Sequence, residues 1–163
     1  MKKAPLTLFI VTLLSCNTLN KQSIRLNMPP GQSKGAASLA VMPFNLQYYH
    51  GKKFSGAVVA DLFASEFLRQ GFQMADRHQL QKVLKEQGLQ QSGAFDEGSL
   101  AEAGRLLGVE AMVFGSVSGE GENYLLTAKC ISVEKGTLLW SLSADYANPR
   151  AIVSKISHHW PAR

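Results

Sequence analysis

Apolar positions recur at helical spacing through the middle of the chain and at strand spacing through its last third. From Ser55, the residues Val59, Leu62, Phe63 and Phe67 fall on one stripe with Asp61, Glu66 and Arg69 opposite, which predicts an amphipathic helix stopped at Gly71. Asp76-Arg77-His78-Gln79 opens a second helical pattern, with Leu80, Val83 and Leu84 on its apolar side and Lys82, Lys85 and Glu86 on its wet side. Ser99-Leu100-Ala101-Glu102 opens a third. Both openings have the form of a capping box, in which an N-cap oxygen and an acid or amide three residues on satisfy each other's orphan donors. Gly88 and Gly108 stand where a helix stops on a left-handed residue. The period then changes to two. Residues 111–117 are apolar on both faces, Val113 and Val117 alternating against Met112 and Phe114, as expected of a central strand covered on each side. A polar turn at 118–123 leads to a returning strand at 124–133. Glu134-Lys135-Gly136-Thr137 then has the length and the glycine of a hairpin turn before a last strand at 138–142.

Upstream, residues 38–44 predict a first strand, Leu39-Ala40-Val41-Met42, ended by Pro43, which cannot donate to a ladder. Residues 45–53 read as a loop whose Tyr48, Tyr49 and His50, beside Gly51 and two lysines, offer either a binding lip or aromatics packed on their own domain. Residues 72–75 are short enough to be a strand only inside a sheet. Residues 89–98 are too polar for core and read as a surface loop, pinned by Phe95. Ile152, Val153, Ile156 and Trp160 recur at helical spacing and predict a C-terminal helix within 149–163. The resulting order, β-α-β-α-α-β-β-β-α, predicts an α/β fold with a mixed sheet covered by helices.

The beginning of the chain has a different pattern. Met1-Lys2-Lys3 supplies a positive start and residues 4–14 an apolar run, too short for a mature transmembrane helix of about 20 residues; together they predict an export signal over 1–15. Leu13-Leu14-Ser15-Cys16 resembles the lipobox of bacterial lipoproteins, departing from it mildly at Leu14, and implies acylation of Cys16 and cleavage before it. An ordinary signal peptide with a coincidental cysteine is the alternative. Asn17, rather than Asp, then favours the outer membrane by resemblance to bacterial sorting habits. Residues 16–35 are polar, end in Pro29-Pro30-Gly31, and read as a lipid-anchored tether that leaves orientation free, ahead of one periplasmic α/β domain over 36–163.

Composition narrows the function. With 163 residues, 45% of them hydrophobic and 18% charged, the chain is of ordinary globular make-up. Its net charge of +5 falls by two when Lys2 and Lys3 leave, and the remaining cations alternate with acids, so no nucleic-acid partner is expected. Only Cys16 and Cys130 occur; with the first acylated, no disulfide is expected, and Cys130 reads as a buried strand residue. No two of His50, His78, His158 and His159 are spaced to share a metal on a helix, and no HExxH, CxxC, GxSxG or P-loop occurs. The sequence therefore offers no catalytic, cofactor or metal residues, and an enzyme is not expected.

The helix Asp76-Arg77-His78-Gln79-Leu80-Gln81-Lys82-Val83-Leu84-Lys85-Glu86 resembles that of the curli secretion channel (CsgG-type) family of periplasmic lipoproteins. Leu107-Gly108-Val109-Glu110-Ala111 into Gly115-Ser116, Ile131-Ser132-Val133-Glu134-Lys135-Gly136, and Leu138-Leu139-Trp140-Ser141 are similar to further signatures of that family, with Ser132 where the family usually has an acid. The resemblance implies an anticodon-binding-like α/β sandwich, an outer-membrane lipid anchor facing the periplasm, and cell-envelope proteins as partners, with homo-oligomers possible. Pore-forming members carry two long insertions that become membrane hairpins, and this chain has room for neither. The expected role is an adaptor or assembly accessory without catalysis. A subunit of an export channel, or an activator of a peptidoglycan synthase, are the alternatives.

Overall fold

The central element is a ten-residue strand paired along both edges, its two apolar faces each covered by a core. The computed structural model describes residues 23–31, 35–50, 55–89, 96–120, 123–145 and 147–163. In chain order the elements are β1 (Ser23–Asn27), β2 (Ser38–Val41), β3 (Asn45–His50), α1 (Gly56–Arg69), β4 (Gln73–Met74), α2 (Arg77–Glu86), α3 (Glu97–Leu107), β5 (Ala111–Glu120), β6 (Asn123–Ser132), β7 (Leu138–Asp145) and α4 (Pro149–His159). Seven strands form one mixed sheet in the order β1-β7-β6-β5-β2-β4, and β3 joins β5 beyond the end of β2. β5, β6, β7 and β1 pair antiparallel in succession, whereas β2 and β3 pair parallel to β5, and β4 pairs parallel to β2.

Two layers of helix complete the sandwich. On one face α1 and α4 cover a core that includes Val41, Phe63, Phe67, Val113, Cys130, Trp140, Ile152 and Ile156. A run of rings, Phe44, Phe63, Phe67, Phe72, Trp160 and Trp140, threads this layer with centroids 5.0 to 6.4 Å apart. On the other face Leu80 and Leu84 of α2 and Leu100, Ala101 and Ala103 of α3 pack on Ala40, Met42, Met112 and Ile131. The alternation Val113/Val117 against Met112/Phe114 thus divides β5 between two cores. The α/β class and the helix-covered mixed sheet stand as the pattern predicts.

Several predicted boundaries need correction. The polar turn read at 118–123 is strand at 118–120 and at 123, and the last strand, read as ending at 142, runs to Asp145. Ser23–Asn27 lies inside the segment read as a tether, yet it is a strand paired with β7 from Ser23↔Asp145 to Asn27↔Ser141. Asn45–His50, read as a loop, is a strand beside β5. β4 lies at an edge of the sheet, where a two-residue strand needs only one partner, β2. Helix α3 starts at Glu97, capped by Asp96, whose Oδ1 accepts from the Ser99 amide at 2.9 Å; the Ser99 hydroxyl also donates to Asp96, so Ser99 is a first-turn residue and not the cap. At α2 the aspartate caps as expected, Asp76 accepting from the His78 and Gln79 amides at 2.9 and 3.0 Å. Gly88, Gly108 and Gly136 are left-handed, at φ 67°, 67° and 64°.

Candidate functional site

Between the first two turns of α1 and the start of α4, an open groove lies at one end of the sheet. Its floor is Leu46 of β3, Val117 of β5, and Tyr124 and Leu126 of β6; its walls are Val59 and Leu62 of α1 and the Ala147-Asn148-Pro149 start of α4. The volume is about 250 Å3 and the lining is almost wholly apolar.

Local chemistry sets both walls. Phe44, just before β3, and the first residue of α1 approach so closely that a Cβ on Gly56 would lie 1.7 Å from the Phe44 carbonyl oxygen, while the Phe44 amide donates to the Gly56 carbonyl at 3.0 Å. Ser55 caps α1, its hydroxyl accepting from the Val58 amide at 3.3 Å. Asn148 caps α4, accepting from the Ala151 amide at 2.8 Å, and Pro149 stands at the first helical position, where its missing N–H costs nothing. The Tyr124 hydroxyl donates to the Ala147 carbonyl at 3.1 Å and joins floor to wall. The polar groups of the groove are thus engaged internally, and what it offers is apolar surface. Leu62, on the stripe predicted to be buried, is 46% exposed at the rim, and Val58 beside it is 44% exposed.

A second surface lies on the opposite side of the sheet. α2 and α3 pack there on Ala40, Met42, Met112 and Ile131; past Phe114 the same face carries small polar side chains. One cross-strand row reads Arg25, Ser143, Thr127, Ser116, and the next Asn27, Ser141, Lys129, Phe114. Ser116 and Thr127 hydrogen-bond to each other at 2.8 Å across the β5–β6 pair. Leu125 and Lys129 are exposed on this face.

Cys16, the predicted lipid site, lies outside the described residues, as do Phe95, Gly51 and the two lysines after it. Tyr48, Tyr49 and His50 fall in β3. Cys130 is fully buried in β6, and that burial pushes its thiol well above the ordinary range, which disfavours the nucleophilic thiolate. His78 is exposed in the first turn of α2; His158 and His159 end α4 with ring centroids 4.9 Å apart, His159 meeting the Lys155 carbonyl at 3.1 Å. Among the described residues no group of three or more His, Cys, Asp or Glu is placed to hold a metal, and no helix is long and apolar enough to cross a membrane.

The family-like motifs hold the frame. Arg77 reaches back to Asp61 and ties α2 to α1. Glu110 accepts from the Ala37 amide at 3.0 Å and pairs with Arg163, joining the start of β2 to the last turn of chain after α4. Ser132 accepts from the Lys135 amide at 3.2 Å, serving the β6–β7 turn with a hydroxyl where the family usually has an acid.

The sequence model of the family described as the curli production assembly/transport component CsgG matches residues 25–126. The chain belongs to the CsgG family. The match runs from β1 into β6, so the α4 wall of the groove lies beyond it. No curated protein matches the chain. Among solved structures, it is similar to the LpoB C-terminal domain from Salmonella enterica, with a TM-score of 0.56 at 20% identity over 68% of this chain and 83% of that one. It is also similar to PelC from Paraburkholderia phytofirmans, solved as a dodecamer, with a TM-score of 0.53 at 14% identity over 88% and 100%. Lipoprotein GNA1162 from Neisseria meningitidis gives 0.51 at 18% identity over 75% and 92%. At these identities the likeness is one of fold.

Proposed function

We propose that the protein is a lipid-anchored accessory of a cell-envelope machine of the curli assembly and transport kind, acting on the periplasmic side of the outer membrane by binding protein partners and catalysing nothing. Membership of the CsgG family supports the envelope role. The observation that carries the accessory reading, as against a pore subunit, is the β5–β6 hairpin. Its ladder runs to Glu120↔Asn123, so two residues separate the paired ends. A membrane-crossing hairpin needs two strands of about 9 to 11 residues each with an apolar band facing lipid. After Trp140, the other place for an insertion, β7 continues in the sheet to Asp145 and α4 begins at Pro149. The polar rows around Thr127 and exposed Lys129 offer a partner a hydrogen-bonding platform.

Cys16 is the attachment site in this reading, and Cys16→Ser is expected to move the protein from the membrane fraction to the soluble periplasm. Fractionation after a high-salt wash tests it; a variant that still sediments wholly with outer membrane contradicts the anchor. Crosslinking of the acylated protein in its native envelope, followed by mass spectrometry, should yield envelope proteins whose recovery falls with Lys129→Glu. Recovery unchanged by that substitution would contradict the platform.

A further inference from the structure

We infer that the groove end of the sandwich rests on the lipid bilayer, so that membrane lipid is what covers the apolar rim at Val58 and Leu62. The inference deepens the proposed function and rests on acylation at Cys16. Ser23 pairs with Asp145, two residues short of the Ala147 wall. The cross-strand row Ile24, Ala144, Leu126, Val117, Leu46 runs along the α1–α4 face, and its last three members line the groove. β1 therefore begins at the groove end of the sheet, and the chain upstream of it departs from that end.

Cys16 precedes Ser23 by seven positions. Fully extended, that stretch spans at most about 25 Å, less than the roughly 33 Å of a ten-residue strand such as β5. An anchor on Cys16 therefore holds the groove end nearest the bilayer and α3, at the start of β5, farthest from it. The tether expected to leave orientation free is shortened by β1 into one too short for the inverted orientation. The surface so presented suits lipid. Val58 and Leu62 are half-exposed, and the groove between them and Pro149 has no charged lining. Asp61, the acid beside Leu62, is paired with Arg77, and exposed Arg150 next to Pro149 supplies a cation at headgroup level. Facing the bilayer with this end leaves the polar rows on the other side of the sheet open to partners.

A nitroxide at Leu62→Cys, compared with one at Leu106→Cys, tests this. Both positions are exposed, at 46% and 56%, so the substitutions spare the core, and buried Cys130 does not take label. The full acylated protein is reconstituted in vesicles of phosphatidylethanolamine and phosphatidylglycerol, and the label's access to oxygen and to a water-soluble nickel chelate is measured. The expected result is oxygen access with nickel exclusion at position 62, an aqueous signal at 106, and an aqueous signal at both when Cys16→Ser removes the anchor. Equal aqueous signals at both positions in the acylated protein overturn the inference while leaving the anchor intact. Dipolar broadening at 62 that dilution with unlabelled protein abolishes would show a second copy in the groove, and overturns it as well. Protection that arises only on adding envelope extract points to a protein occupant, with the same consequence. If mass spectrometry of envelope-purified protein finds Cys16 without acyl chains, the anchor and the inference fall together.

Discussion

Phe63 and Leu62 are adjacent on α1 and have opposite fates. Phe63 is fully buried between Phe44 and Phe67, whereas Leu62 is half-exposed over the groove, though both fall on the stripe that the helical period marks as apolar. Phe63→Ala should therefore cost about 3 to 5 kcal/mol through lost burial and the cavity left behind. Leu62→Ser should stay within about 0.5 kcal/mol. Urea unfolding of the two variants measures the contrast; a large loss for Leu62→Ser would show that the groove is closed in solution. Gly136 is the corresponding backbone case. Its φ of 64° is left-handed and nothing lies within 4 Å of where a Cβ would stand, so a substitution there meets strain without a clash. Gly136→Val should destabilise by about 1 to 2 kcal/mol, and an unchanged melting temperature would contradict the turn.

At the scale of elements, Glu110 gathers three segments: the start of β2 through Ala37, the approach to β5, and Arg163 after α4. The Ala37 amide, foremost, holds its carboxyl below the ordinary glutamate range; partial burial opposes this, and Arg163 assists. Because the folded pKa is depressed, the unfolded chain binds the proton first as pH falls. The stabilisation is complete above the ordinary glutamate value of about 4.3 and is lost as pH drops through the lower folded value. Wild type should therefore exceed Glu110→Gln in urea midpoint at neutral pH and converge with it in acid. A gap that is constant across that window would contradict the coupling. The elements the sequence hid are those whose pairing is non-local. Ser23-Ile24-Arg25-Leu26-Asn27 does alternate, with Ile24 and Leu26 inward, but five residues between a polar leader and Pro29-Pro30 read as linker until β7 supplies their partner more than a hundred residues later. β3 likewise owes its existence to the far half of β5. By contrast α2 and α4 carry their own caps and helical periods, and the first seven residues of β5 their two apolar faces, and these were legible. The groove was not, because Leu62 has the same periodicity as a core residue and nothing in that period distinguishes a groove rim from a covered face.

At the scale of the molecule, the described residues of the two hairpins, β5–β6 and β6–β7, pair inside the sandwich's own sheet. Among the described residues, the two places where a membrane-spanning pair of strands would be inserted are occupied by a two-residue gap at the tip of β5–β6 and by the run of β7 toward α4. A pore from such strands would leave sheet-edge N–H and C=O groups unpaired in hydrocarbon, at several kcal/mol each. The central claim is that the protein serves a machine from its lipid anchor and forms no channel itself. The most direct test is single-channel recording of the purified acylated protein in planar bilayers. The account predicts conductance indistinguishable from the empty membrane; reproducible steps from this protein alone would contradict it and make it a pore subunit.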